Sequence, residues 1–433
     1  MPDWTFLKRL PAKALRHAAL ARRDPENFGR NLLQFFNPAL FEQRLVDVLH
    51  ALPMHVRHES EGDAPLRLNV LDSAWTRTGM TGGPNTVVNL AVRVARAGLP
   101  VRFVSTVATE TLDPAWFKTH AASLLGSSPP DVEHASAGDP ARPLRLTSND
   151  VFLATHWVTA QQLKAVLPAM KRKRFFYMLQ EFEAGFYPWS SNYARVVETY
   201  GMDFVPVVNE SLLAEFLFAQ PLGRLQDPAL RSRALVFEPA VDDQLFYPPK
   251  EGRATPRRRL LFYARPTNAR NMFGLGLLAL RAAAEDPAFA GWEFVAIGGR
   301  GSLPDLKLGQ GRRLLPAPWV DYAGYGGLLR GADLLLCPMI SPHTSYPVLE
   351  MAATGGLAVT NTFATKTAER LAELSPNIVA AEPTVEGLAA ALVDCARRIN
   401  GGWVGEGRVT LPGRWDAVLD AVAARVCEAA PDL

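Results

Sequence analysis

Short apolar runs recur along most of this chain, each followed by a stretch of helical periodicity, and the whole pattern restarts once. The first series of runs is Leu66–Leu71, Val101–Ser105, Val151–Ala154, Phe175–Leu179, Phe204–Val208 and Ala234–Phe237, with helical segments such as Thr86–Ala97 and Gln161–Met170 between them. Continuous apolar strands separated by helices predict a parallel sheet covered on both faces. Tyr247-Pro248-Pro249-Lys250-Glu251-Gly252 has the composition of a linker. After it the alternation resumes at Leu260–Ala264, Phe294–Ile297, Leu334–Cys337, Ala358–Thr360 and Ile378–Ala380, with helices expected over Met272–Ala284, Tyr322–Arg330, Tyr346–Ala353 and Val385–Ile399.

The expected organisation is therefore α/β, with two doubly wound domains in tandem, residues 61–243 and 244–405. Residues 1–60 read as a helical N-terminal extension with no clear strand. Residues 406–433, with a helix around Arg414 to Glu428, fall outside the second alternation and are expected to cross back to the first domain. Strand C-termini of two such domains face each other, so the expected ligand site is the cleft between them.

A content of 48% hydrophobic and 21% charged residues is that of an ordinary globular protein. A net charge of +3 implies no general affinity for polyanions, so no nucleic-acid partner is expected. Basic residues do cluster, at Lys8, Arg9, Lys13, Arg16, Arg22 and Arg23, at Lys171 to Arg174 and at Arg257 to Arg259. Solvated helix faces and strand flanks explain each run. The sharper reading is peripheral contact of the N-terminal segment with anionic lipid or a lipid-diphosphate acceptor. Cys337, Cys395 and Cys427 lie far apart, with no pairing or metal-ligand spacing, and no HExxH or CxxC pattern occurs. With no apolar run near bilayer length and no signal-peptide core, the expected location is the cytoplasm, with no metal and no cofactor.

Five segments could carry chemistry. Met339 to Gly356 runs from an apolar strand through a Pro-, Ser- and Thr-rich loop into a helix opening near Tyr346. Such a junction offers free backbone N–H groups and the positive helix end to an anion. Glu350, one turn in, could reach sugar hydroxyls, and His343, Thr344, Ser345 and Tyr346 add polar groups. The bland reading of Glu350 is a first-turn acid that suits the helix dipole. Arg265 and Arg270 flank the turn after the first strand of the second domain and could converge on a diphosphate. Gly82 and Gly83, between the first strand and its helix, would let backbone N–H groups approach a ligand. His156 sits just past a strand end, where a structural role is equally open. Gln180, Glu181 and Glu183, followed by Phe186, Tyr187 and Trp189, could form a sugar-binding wall, although aromatics more often fill cores.

On these motifs the chain resembles family 4 retaining glycosyltransferases, which have the GT-B fold of two Rossmann-like domains facing across a cleft. Arg265 and Arg270 fall on the Arg and Lys of that family's G-R-(x)4-K, and Glu350 on the second Glu of its E-(x)7-E. Pro239 to Pro248 is similar to its interdomain segment. Phe262 to Asn271, Met339 to Ala352 and Gln180 to Pro188 resemble more closely the bacterial rhamnosyltransferases of S-layer and rhamnan glycans, over roughly residues 65 to 400. The first Glu of E-(x)7-E, which contacts the donor sugar in the wider family, falls here at Pro342, and the usual Asp of Q-D-F-E is Glu181. The resemblance implies a metal-independent, retaining transfer of a deoxyhexose, L-rhamnose from dTDP-L-rhamnose, onto a glycan or lipid-linked saccharide of the cell envelope. It implies donor contacts at Gly82, Gly83, Arg265, Arg270, His343, Thr344, Ser345, Tyr346 and Glu350. Acceptor contacts would come from Gln180, Glu181, Glu183 and Tyr187, and Arg265, Arg270 and His156 would form the catalytic group. A sugar-nucleotide epimerase of the same fold and a non-catalytic saccharide-binding subunit remain as alternatives.

Overall fold

Each apolar run becomes a strand, buried in all but the edge strands. The computed structural model describes residues 53–59, 64–80, 82–109, 111–250, 257–299, 306–318 and 320–433. The expected N-terminal helical extension and its basic cluster lie outside them, up to residue 52. In the first half the strands are β1 (Val56–His58), β2 (Arg67–Asp72), β3 (Val101–Ser105), β4 (Glu133–Ser136), β5 (Leu144–Leu146), β6 (Asp150–Ala154), β7 (Phe175–Leu179), β8 (Phe204–Asn209) and β9 (Leu235–Phe237). The helices between them are α1 (Gly82–Arg96), α2 (Pro114–Leu125), α3 (Trp157–Val166), α4 (Ser191–Tyr200), α5 (Ser211–Ala219) and α6 (Pro228–Ser232). Seven strands form one parallel sheet in the order β4-β3-β2-β6-β7-β8-β9. β1 corrects one expectation: Val56–His58 is not helical but pairs in parallel with β5 as a separate two-stranded sheet.

The second half contains β10 (Arg259–Tyr263), β11 (Glu293–Ile297), β12 (Leu306–Gly309), β13 (Arg312–Pro316), β14 (Leu334–Leu336), β15 (Leu357–Asn361) and β16 (Ile378–Ala381). Its helices are α7 (Phe273–Ala283), α8 (Tyr322–Arg330), α9 (Tyr346–Ala353), α10 (Ala368–Leu374) and α11 (Val385–Asn400). The order is β12-β13-β11-β10-β14-β15-β16, parallel except for the edge pair β12–β13. Helix starts follow capping chemistry. Asp321 accepts from Gly324 N at 2.8 Å to open α8, and Thr384 accepts from Gly387 N at 3.0 Å to open α11. Leu388, Leu392, Cys395 and Ile399 recur on one face of α11 and bury it against the sheet.

A last helix, α12 (Asp416–Ala429), joins the core of the first domain through Leu419, Val422, Ala423 and Val426. The chain thus passes between the domains twice, at adjoining points. Val241 N donates to Pro412 O at 2.9 Å and Asp243 N to Gly413 O at 3.3 Å.

Candidate functional site

In each sheet the chain leaves its first central strand in both directions, and a crevice opens where it does. In the second domain β10 lies between β11 and β14, so the loops that follow β10 and β14 diverge there. Those loops carry Arg265 to Asn271 and Met339 to Ser345. In the first domain β2 lies between β3 and β6, and the loops after β2 and β6 carry Ser73 and His156, whose Oγ and Nε2 are 3.3 Å apart.

The loop before α9 is fixed from behind. Asn361 holds Met339 through its backbone N–H (2.6 Å to Oδ1) and its carbonyl (3.1 Å from Nδ2). Lys366, fully buried, donates from Nζ to the same carbonyl at 2.9 Å, and burial pulls its ammonium down to about 8. Ile340 N donates to Arg270 O at 2.8 Å, which ties the two cleft loops together. His343 Nδ1 accepts from Ser345 N at 2.9 Å. That bond puts the ring proton of the neutral imidazole on Nε2. Burial holds this histidine neutral by pushing its pKa down to about 4. Ser345 then enters α9 at φ 81°, a conformation natural to glycine. Glu210, at φ 152°, and Met272, at φ 44°, are also strained, and all three stand on loops at the crevice.

The two domains touch through this loop. Tyr346 OH accepts from Asn209 Nδ2 at 2.5 Å and lies 3.5 Å from Thr86 Oγ1 on α1. Ser341 Oγ donates to Glu181, and Arg270 Nη1 pairs with the other oxygen of Glu181 at 3.4 Å. The Arg270 guanidinium also lies over the Phe186 ring, 4.8 Å from its centroid, while its Nε–H is buried without an acceptor among the described residues. Glu210, at the end of β8, accepts from Thr344 N at 2.7 Å and from Thr344 Oγ1 at 2.8 Å.

The expected site residues therefore separate. Arg270 and the 341–346 loop meet in the cleft. Arg265 instead lies over Tyr263, 5.9 Å from its ring centroid, with no carboxylate partner among the described residues. Glu350 is buried beside Tyr322 and Tyr325, and burial raises its carboxyl to about 7 although both phenols favour the charged form. The expectation of free N–H groups from Thr344 to Tyr346 needs correction. Thr344 N is taken by Glu210 and Ser345 N by His343, leaving only that of Tyr346 without an acceptor among the described residues. Gly82, at φ 42°, and Gly83 form the first turn of α1, and Gln180 Nε2 donates to Gly83 O at 3.1 Å. Glu183 and Tyr187 are engaged in holding α3. Glu183 Oε2 accepts from Trp157 N at 2.8 Å and from Tyr177 OH at 3.1 Å, and Tyr187 OH accepts from Trp157 Nε1 at 3.2 Å. Glu183 is thus an internal anchor, not an open wall of the cleft, and burial pushes its carboxyl up to about 8. His156 sits 4.0 Å from Asp72, with its pKa lowered by burial.

Sequence reasoning missed Glu210 and Lys366. Their only local signals are the polar Asn209-Glu210-Ser211 directly after an apolar strand and a lone cation after β15. Among the described residues no group of three or more His, Cys, Asp or Glu side chains is placed to hold a metal, and no helix is long and apolar enough to cross a membrane.

Comparisons with known proteins agree with this architecture. Residues 67–211 match the family described as WsaF, N-terminal domain, and residues 258–393 match WsaF, C-terminal domain. The O-antigen biosynthesis protein RfbC of Myxococcus xanthus is 33% identical over 289 residues, which is 64% of this chain and 20% of that protein. The chain thus spans about a fifth of the length of this curated relative. Sucrose-phosphate synthase from Thermosynechococcus elongatus superposes with a TM-score of 0.51 at 15% identity, covering 84% of this chain and 93% of the other. HepE of Anabaena, solved in complex with UDP-glucose, superposes with a TM-score of 0.52 at 14% identity, covering 84% and 94%. The fold is GT-B.

Proposed function

We infer that this chain, built from the two WsaF domains on a GT-B fold, is a glycosyltransferase of cell-surface polysaccharide synthesis acting in the cytoplasm. It transfers a deoxyhexose, L-rhamnose from dTDP-L-rhamnose, to a glycan or lipid-linked saccharide, with retention and without a metal or cofactor. The observation that carries the reading is Arg270. A buried guanidinium N–H with no acceptor among the described residues, beside a strand–loop–helix junction at a topological switch point, is a donor placed for an incoming anion. The proline at Pro342, where related enzymes have an acid for the donor sugar's hydroxyls, favours a sugar poorer in hydroxyls. RfbC's role in O-antigen biosynthesis supports the polysaccharide setting.

In this mechanism the nucleotide lies on the second domain, and Glu350 takes the 3′-hydroxyl of its deoxyribose. Arg265 and Arg270, with Tyr346 N–H, stabilise the diphosphate as the bond from the anomeric carbon to its oxygen breaks. This is electrostatic stabilisation of an oxocarbenium-like transition state, and the arginines supply the charge a divalent ion would otherwise bring. The acceptor oxygen, held near Glu181, Gln180 and His156, bonds to the same carbon, and its proton passes to the leaving phosphate. Closure of the domains excludes water and suppresses donor hydrolysis.

The test is transfer with a panel of nucleotide sugars, with and without a rhamnan-like acceptor. Selective, acceptor-dependent consumption of dTDP-L-rhamnose is expected, with rates lowered about 10²–10³-fold in Arg270→Ala and Arg265→Ala. Preference for UDP-glucose would overturn the donor assignment. An isomerised free donor would make the chain an epimerase.

A further inference from the structure

Glu210 belongs to the first domain, yet its carboxylate sits on the donor loop of the second. It is buried, 2% exposed, and both of its close contacts are donors of Thr344, the backbone N–H and the hydroxyl. His343 Nε2, which carries the ring proton, faces its other oxygen at 3.8 Å. The backbone of Glu210 is held at φ 152° to deliver the carboxylate, so the contact is made against a local cost. Burial raises its carboxyl to about 7 and Glu238 pushes the same way, so the charge on Glu210 is held chiefly by the two Thr344 donors, with buried Lys366 adding to them. A carboxylate on loop N–H and O–H donors next to a helix N-terminus does what a phosphate oxygen would do there.

We propose that Glu210 is a built-in anionic occupant of the donor loop, which the diphosphate of an incoming nucleotide sugar displaces from Thr344. The proposal rests on the reading of that loop as the diphosphate site. Donor binding and release of Glu210 from Thr344 are then one event, while Ser341–Glu181 and Asn209–Tyr346 still join the domains around the donor. While Glu210 holds Thr344 the domains are latched and the loop donors are engaged. Once the diphosphate takes those donors, the carboxylate is freed toward the acceptor side. Affinity for a nucleoside diphosphate is correspondingly weakened in the native chain, because part of each binding event is spent displacing a covalently tethered competitor.

Calorimetric titration of the full chain with dTDP and with UDP tests this, comparing wild type with Glu210→Gln. The amide keeps an acceptor oxygen for Thr344 but removes the negative charge. The expected result is tighter nucleotide binding in the variant, by about tenfold or more, for a change near 1.4 kcal/mol. Unchanged affinity would make Glu210 a structural strut, and weaker affinity would make it a direct donor ligand. Either result overturns the proposal while leaving the donor site itself in place. Should neither protein bind either nucleotide, the reading of the loop fails and the proposal with it. Glu210→Asp, one methylene short of Thr344, serves if the glutamine variant does not fold, with the same tightening expected.

Discussion

The C-terminal helix is held to the first domain by an ion cluster whose two sides differ in exposure, and this gives an asymmetric prediction. Arg93 on α1 is almost completely buried, with 1% of its side chain exposed. It pairs with Asp416, and its Nε lies 2.8 Å from Asp420; those carboxylates are 41% and 55% exposed. Within α1 it also donates to the side chain and carbonyl of Asn89. Removing the arginine leaves two carboxylates that already meet water, so the electrostatic loss is about 0–1 kcal/mol. Methionine in its place fills most of the stem's volume, and Arg93→Met is expected to cost roughly 1–2 kcal/mol. Removing both aspartates instead strands a buried guanidinium with only Asn89, a change worth about 3–5 kcal/mol. Asp416 also opens α12, where a negative charge contributes about 0.3–1 kcal/mol. The double variant Asp416→Ala/Asp420→Ala should therefore be less stable than Arg93→Met by about 2 kcal/mol or more. Urea unfolding followed by circular dichroism measures the difference, and hydrogen exchange should locate the loosening in α12 and α1. Equal losses, or a larger loss for Arg93→Met, would refute the reasoning that the desolvated partner governs the cost.

Glu183 links stability to pH. Its folded carboxyl is raised to about 8 while the unfolded one is ordinary, so the native state holds the proton more tightly. The contribution is complete in acid and is lost as pH rises through about 8, by a few kcal/mol at most. Glu183→Gln should flatten that decline, and parallel slopes of urea midpoint against pH in wild type and variant would contradict the assignment. For Glu350, the Gln variant should bind dTDP about tenfold more weakly by calorimetry if it meets the sugar hydroxyl. Tyr346→Phe removes the phenol that receives Asn209 across the cleft. It should weaken domain closure by about 1 kcal/mol, seen as a larger average radius in solution scattering.

The alternation of apolar runs and helical periods was enough to place eleven of the fourteen strands of the two large sheets, because the inner strands are buried on both faces and the covering helices have one apolar side. α8 and α9 begin and end where the sequence puts them, since Asp321 is a cap and Pro347 suits a first turn. β1, β4, β5, β12 and β13 are not legible: β1 and β5 are three residues each, and β4, β12 and β13 are edge or next-to-edge strands with few buried residues, so none carries a continuous apolar run. The aromatics after Glu183 point to the cleft. The partner of Glu183 is the backbone of Trp157, 26 residues earlier, and a backbone donor has no sequence signature. Glu210 was invisible for a related reason, since its meaning comes from Thr344, 134 residues away on the other domain. Local pattern reveals which loops border the crevice, whereas which groups in them are already engaged depends on long-range geometry.

The paired crossings of the chain have a mechanical consequence. The strand of backbone entering the second domain at Val241 to Asp243 lies bonded to the one returning at Pro412 and Gly413. Two adjacent ribbons tied in this way resist twisting and sliding but bend readily about the line that joins them. A cleft hinged on that line would close each time with Tyr346 against the same facing pair, Thr86 and Asn209. Cutting either ribbon with a protease would leave the lobes associated but free to rotate out of register.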